Sequence, residues 1–197
     1  MAMDATPPRG RPRSAEADQA IFAATRRLLD EGGYHGLTVE GVAAEAGVAK
    51  TTIYRRYANK ALLVLDAMGQ SARDAPVELP DTGTFRGDLL VVAHLVREEI
   101  APSSPSSVGA ALLGEASQDL AVAEGLRDFA DFRFEQGRSI YDRAIARGEL
   151  RADADWRIVA ELLVGWIFHA SVVSRRRPDD ATLGHAVELV ISGFEPR

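Results

Sequence analysis

The sequence predicts an all-α fold, with a small helix-turn-helix unit in front and a larger helical bundle behind. Three observations predict it. Apolar residues recur three and four positions apart through nearly every segment, while no segment alternates with period two for long enough to make a strand. Glycine and proline fall between these periodic runs, at Gly32-Gly33, Gly47, Ala101–Ser107, Gly148 and Pro178. Two short periodic runs meet at a single glycine, the spacing of a helix-turn-helix.

The elements follow in order. Residues 1–13 are rich in Pro, Arg and Gly, lack apolar periodicity and read as a flexible basic leader. Ser14 offers a side-chain oxygen to cap a helix running to Glu31, with Ile21, Ala24, Thr25, Leu28 and Leu29 as its inward stripe. Gly32-Gly33 stops it. Thr38 caps a short helix, Val39 to Ala46, that Gly47 ends by tolerating a left-handed backbone. A third helix follows, Lys50 to Tyr57, and Asn59 caps a fourth, Lys60 to Arg73. The prolines and glycine of Asp74–Thr84 separate this front from the rear. Behind them lie helices over Phe85–Ile100, Val108–Leu120, Ala121–Arg147, Trp156–Arg176 and, recapped by Asp180, a last one to Ser192. The expected organisation is therefore a leader over 1–13, a helix-turn-helix domain over 14–60 and a helical regulatory and dimerisation domain over 61–197.

Composition narrows the possible functions. The 197 residues are 46% apolar, enough to build a core and to argue against wholesale disorder. No run approaches eighteen uncharged apolar residues and the first thirty lack a signal-peptide stretch, so a soluble cytoplasmic protein without a membrane partner is expected. The absence of cysteine excludes disulfides, thiol catalysis and thiolate metal sites. Four histidines without an HxxxH pattern, and no cysteine, give no metal site, and no cofactor is expected. There is no GxSxG, phosphate-binding glycine loop or HExxH, so no enzyme is expected; a helical carrier or enzyme that uses the front bundle only structurally is the competing class. The net charge of −6 hides an uneven distribution, with a mildly basic front and an acidic rear. Both lysines of the chain, Lys50 and Lys60, flank the third helix.

At 100° per residue, Ala49, Ile53 and Tyr57 share one stripe of that helix and should pack inward. Lys50, Thr51, Tyr54 and Arg55 fall outside, with Thr52 and Arg56 beside them. Cationic ends, hydroxyls and a phenol suit phosphates and base edges, and a helix fits the major groove. Lys60 and Thr38 stand in the first turns of their helices, where outward N–H groups favour a phosphate. Taken alone, the same composition also fits a solvated charged face.

The order of the residues is more specific than their composition. Leu37–Val64, "LTVEGVAAEAGVAKTTIYRRYANKALLV", resembles the DNA-binding signature of TetR-family transcriptional regulators, and the preceding "AIFAATRRLLDEGGYHG" fits the same pattern. The close resemblance runs from Ser14 to Val64; beyond it, only length and helicity agree. Ala49 stands where a capping serine is frequent and Ala61 where a glutamate is frequent. The resemblance implies that Lys50, Thr51, Tyr54 and Arg55 face the groove of double-stranded operator DNA, that Thr38, Arg56 and Lys60 hold phosphates, and that the rear dimerises and binds an inducer. A ligand-responsive repressor is the expected function.

Arg9, Arg11 and Arg13 stand around Gly and Pro as in the core of an AT-hook. Two roles stay open: insertion into a narrow minor groove, or general attraction to DNA. Two reading heads must sit one helical turn apart, roughly 34–36 Å, so the rear should supply a homodimer interface. Arg157–Val173 is apolar almost all round, and Leu162, Trp166, Val173, Leu183, Val187, Val190 and Ile191 are the candidates to pair with a second copy. The same residues could instead fill a monomer core. A pocket for an unidentified small-molecule inducer is sought among Leu90, His94, Phe129, Phe132, Arg133, Gln136, Trp166 and His169, where aromatic groups mix with a few polar ones.

Overall fold

The computed structural model describes residues 12–74, 78–100 and 108–196. Among these, the chain forms α1 (Pro12–Gly36), α2 (Val39–Glu45), α3 (Lys50–Tyr54), α4 (Lys60–Asp74), α5 (Phe85–Ile100), α6 (Gly109–Ala116), α7 (Leu120–Ala146), α8 (Trp156–Phe168), a π-helical turn (His169–Val173) and α9 (Asp180–Ser192), with no strand.

Two apolar clusters hold these helices. In the first, Ile21 and Leu29 of α1, Val42 of α2, Ile53 of α3 and Leu63 and Val64 of α4 meet Leu112 of α6 and Val122 of α7. In the second, Phe85 and Leu89 of α5, Ile140 and Tyr141 of α7, Val159, Leu163 and Ile167 of α8 and Leu183 of α9 pack together. Phe85 stands edge-on to Tyr141 at 5.6 Å, and Tyr141 leans on Trp156 at 5.8 Å. The clusters divide the molecule differently from a boundary at 60/61. α4 belongs with the front helices, and the α6–α7 corner completes the front core.

Local chemistry moves several helix ends from where periodicity puts them. α1 starts at Pro12, two residues before the expected cap at Ser14, so Arg13 lies in the helix rather than in an extended leader. Proline is well suited to a first turn because its missing N–H is not needed there. Arg9 and Arg11 lie outside the described residues. The helical path of α1 breaks at Gly33, whose φ of 62° is open to glycine, and resumes to Gly36. α3 ends at Tyr54 rather than Tyr57, although Tyr57 N still donates to Ile53 O at 2.9 Å. Ala49 is exposed rather than part of the inward stripe.

Asp119 caps α7, accepting from Ala121 N at 2.9 Å, and Asp179 rather than Asp180 caps α9, accepting from Thr182 N at 2.8 Å. The expected continuous helix from Trp156 to Arg176 is also interrupted. Ser174 N reaches back five residues to His169 O at 2.9 Å, widening the turn, and Arg175 then adopts a left-handed φ of 49° that ends it.

The rear core corrects the interface expected from the sequence. Leu183 and Val187 are fully buried within the protomer and cannot face a second copy. Packing against α5 and α8 takes the inward stripe of α9, and periodicity alone cannot say which neighbour a stripe meets. On α8, the π-helical turn and α9, the exposed large apolar positions are Ile158, Leu162 and Val173, at 49%, 50% and 63% exposure, and Leu189 at 60%. Val190, Ile191 and Trp166 are half-buried at the edge of the second core. Trp156–Val173, with a mean hydropathy of 1.4, has the length and composition to cross a membrane. It nonetheless carries Arg157 and Glu161, and it buries Val159, Ala160, Leu163, Ile167 and Ala170 in protein.

Candidate nucleic-acid interface

The candidate surface is built by α2, α3 and the turn between them. Thr38 Oγ1 accepts from Gly41 N at 3.0 Å, capping α2 and leaving its hydroxyl proton directed elsewhere. Gly47, at a φ of 65°, reverses the chain, and Val48 N donates to Ala43 O at 3.0 Å to close the turn. Ile53 is the anchor: fully buried, it presses one face of α3 into the first core and leaves the other outward. On that outward face stand Lys50, Thr51, Tyr54 and Arg55, all exposed, with Thr52 half-buried beside them.

The cations of the front differ in what they are already holding. Arg27 pairs with Glu45 at 2.5 Å and with Glu31 at 3.7 Å. Arg56 pairs with Asp18. Lys60 Nζ donates to the carbonyls of Tyr34 (3.0 Å) and Leu37 (3.3 Å) and lies 4.3 Å from the centroid of the Tyr34 ring. Two of its three donors therefore tie α4 to the α1–α2 link. The side chains of Lys50 and Arg55 make no hydrogen bond or ion pair among the described residues.

The two tyrosines behave differently as well. Tyr57 turns inward, donates to Asp66 Oδ2 at 2.6 Å and has its phenol pKa pushed up by burial first and by Asp66 second. Tyr54 stays 49% exposed and donates to Glu40 Oε1 at 3.3 Å. Its pKa is raised by desolvation first and by the Glu40 charge second, so it remains a hydroxyl donor. Glu40 had no place in the sequence reading. It lies fourteen residues from Tyr54, and only the fold brings α2 and α3 together.

Candidates for the ligand site are less concentrated. Phe129 packs against the first core, whereas Leu90 and Trp166 pack against the second. Arg133 binds Glu99 through both carboxylate oxygens, at 2.9 and 3.1 Å, and Gln136 Nε2 donates to Ala72 O at 3.3 Å, so these two tie α7 to α5 and α4. Phe132 is half-buried beside them. His94 instead faces Arg97 (3.1 Å) and Asp180 (3.6 Å), and exposed His169 lies 3.5 Å from Ser174 Oγ. An open cleft of about 490 Å³ lies elsewhere, lined by Thr84, Phe85, Arg86, Gly148, Glu149, Ile191, Glu195 and Pro196, and shares no residue with the eight expected ones. Among the described residues, no three His, Asp or Glu side chains cluster as metal ligands.

Known proteins resemble this architecture over nearly its whole length. Residues 21–67 match the model for bacterial regulatory proteins of the tetR family, and residues 79–190 match the tetracyclin repressor-like C-terminal domain. An uncharacterized HTH-type transcriptional regulator of Mycobacterium tuberculosis is 36% identical over 181 residues, covering 91% of this chain and 86% of that protein. The DNA-binding transcriptional repressor TetR of Mycobacteroides abscessus is 32% identical, covering 93% of this chain and 94% of its own. In three dimensions, the TetR family transcription regulator SCO0332 superposes with a TM-score of 0.78 at 28% identity, over 92% of this chain and 100% of that one. With helix-turn-helix and rear bundle both matched, the chain belongs to the TetR family of bacterial transcriptional regulators.

Proposed function

We propose that the protein is a homodimeric repressor that reads operator DNA through the outward face of α3 and is released by a small-molecule ligand bound in its rear half. One observation carries the DNA contact: Lys50 and Arg55 stand on an exposed helix face with no partner in the protein among the described residues, while the cations around them are engaged. Arg55 suits a bidentate contact to guanine, Thr51 and Tyr54 suit phosphate or thymine methyl, and the Thr38 hydroxyl suits phosphate. Arg56 and Lys60 add positive potential near the duplex while holding their protein partners.

The dimer is proposed to form through Ile158, Leu162, Trp166 and Val173, a stripe spaced four, four and seven residues apart, with Leu189 of α9 beside it. This set replaces Leu183 and Val187. The proposed ligand is largely apolar and bound between α5, α7 and α8 near Leu90, Phe129, Phe132 and Trp166, with Arg133 and Gln136 at its polar end. It acts by preferring one spacing of the two heads, and its effect cannot exceed that preference. Repression rather than activation follows the relative named as a repressor, at 32% identity. The setting is the cytoplasm, where the operator is, and the activity is binding without catalysis.

Selection of bound duplexes from a random pool tests the proposal. The expected result is a two-fold symmetric site whose half-sites lie one helical turn or a small multiple apart. Enrichment of no sequence, or of an asymmetric single site by a monomer, would overturn it.

A further inference from the structure

On the proposed reading face, one acid stands among the donors. α2 carries two carboxylates. Glu45 is neutralised by Arg27 at 2.5 Å, whereas Glu40 has no cationic partner among the described residues and is exposed. Its observed contact is the Tyr54 hydroxyl, donated to Oε1 at 3.3 Å from the exposed face of α3. A free carboxylate on a surface that meets phosphates weakens binding to every sequence, unless a particular base edge compensates for it. In the major groove that edge must be an amino group. Guanine O6 and N7 and thymine O4 are acceptors and repel a carboxylate. Adenine N6 lies between two acceptors, its own N7 and the paired thymine O4. Cytosine N4 lies between C5–H and the paired guanine O6, so a carboxylate approaching it meets one acceptor fewer.

We propose that Glu40 is a base-reading residue: its carboxylate accepts a hydrogen bond from the N4 amino group of one cytosine in each half-site, and Tyr54 is the positioning residue that holds it there. The inference rests on the reading that α3 docks in the major groove. It assigns discrimination to α2 as well as to α3. Lys50 and Arg55 attract the duplex and take acceptor edges or phosphates, and Glu40 admits a donor edge and rejects the acceptor ones.

The test compares the full-length protein with Glu40→Ala, Glu40→Gln and Tyr54→Phe, each selected against the same random duplex pool, with helicity and melting measured for each variant. The expected wild-type result is a cytosine preferred at one symmetric position. Glu40→Ala should lose that preference by about tenfold, with the other positions unchanged and affinity for unrelated duplex raised. Glu40→Gln should move the preference at the same position to adenine, because an amide pairs with N6 and N7 together. Tyr54→Phe should weaken the cytosine preference less than Glu40→Ala does. Unaltered base preference in both Glu40 variants, with only a uniform rise in affinity, would show a carboxylate that merely repels phosphates and would overturn the inference while sparing the docking of α3. A wild-type protein that selects no duplex would instead remove the docking itself.

Discussion

The front and rear of the molecule use the same side chains for opposite ends. In the rear, arginines mostly tie separate elements together: Arg86 to Glu188, Arg97 to Asp180, Arg133 to Glu99, Arg157 to Asp131, and Arg177 to Glu98. On α3 and its C-cap, Lys50 and Arg55 have no side-chain partner among the described residues. A net count of charges makes the front only slightly basic and would not single out this helix. The difference teaches that a cation's availability, more than the local sum of charge, marks a surface built for a polyanion. A paired arginine has already exchanged its hydration for a carboxylate and has less to gain from a phosphate.

The strongest way to break this comparison is to remove a rear carboxylate that no water reaches. Asp88 is fully buried, accepts from Thr82 N (2.7 Å) and Thr82 Oγ1 (2.9 Å), and lies 3.5 Å from Arg147 and 3.7 Å from Arg143. Asp88→Ala leaves the Thr82 N–H and hydroxyl without their acceptor and removes a buried negative charge beside two arginines, which keep Glu149, Asp81 and the Pro80 carbonyl as partners. The expected loss is about 3 kcal/mol of unfolding free energy, because both arginines retain some exposure and can partly rehydrate. Urea denaturation measures it, with DNA affinity per folded molecule unchanged. A silent substitution would mean that rear pairing is not structural.

The next effect is on α3 and should show the reverse pattern. Arg55→Ala removes an exposed group with no partner among the described residues, so stability should hold within about 0.5 kcal/mol. Operator affinity should fall by about 1–3 kcal/mol, with base preference relaxed at one position per half-site. Titration of the selected operator against scrambled duplex measures both. Loss of stability with binding intact would erase the contrast between the two regions.

How much of this was legible in the sequence follows from the range of the interactions. The inward stripe through Ile53, the glycine turn at Gly47 and the cap at Thr38 are local, and periodicity or residue chemistry reveals each of them. The outward positions of Lys50, Thr51, Tyr54 and Arg55 follow from the same helical spacing. The pairing of Arg56 with Asp18, 38 positions away, does not follow, nor does the Glu40–Tyr54 bond between two helices. Leu183 and Val187 show the limit most clearly. Their spacing identifies an apolar face of α9, but a face that packs on its own protomer and one that packs on a second copy read alike. The leader and its arginines were read from composition, and Arg13 alone of the three falls within the described residues.

Lys60 sharpens the comparison from within the front. Its ammonium is half-buried and holds two carbonyls, which makes it resemble a rear cation more than its neighbours on α3. Lys60→Ala should therefore lower stability by about 1–2 kcal/mol, the scale of a charge-assisted hydrogen bond. The slope of operator affinity against salt should stay as in the wild type. A slope reduced by about one, with melting unchanged, would place Lys60 on a phosphate instead.

The smallest effect belongs to the exposed rear pairs and has a definite sign with pH. Hydrogen bonding to Arg177 holds the Glu98 carboxyl below the usual carboxylate range, and Arg97 does the same for Asp180. Because the folded values are depressed, these pairs contribute stability above the ordinary carboxylate pKa. That contribution is lost as pH falls through the folded values. Both carboxylates are open to solvent, so the contribution is screened and should shrink further in high salt. Glu98→Gln should flatten the acid side of the melting curve slightly at low ionic strength and do nothing at high ionic strength. An equal flattening at both would mean a desolvated pair, and the rear surface would then rely on buried charge as Asp88 does.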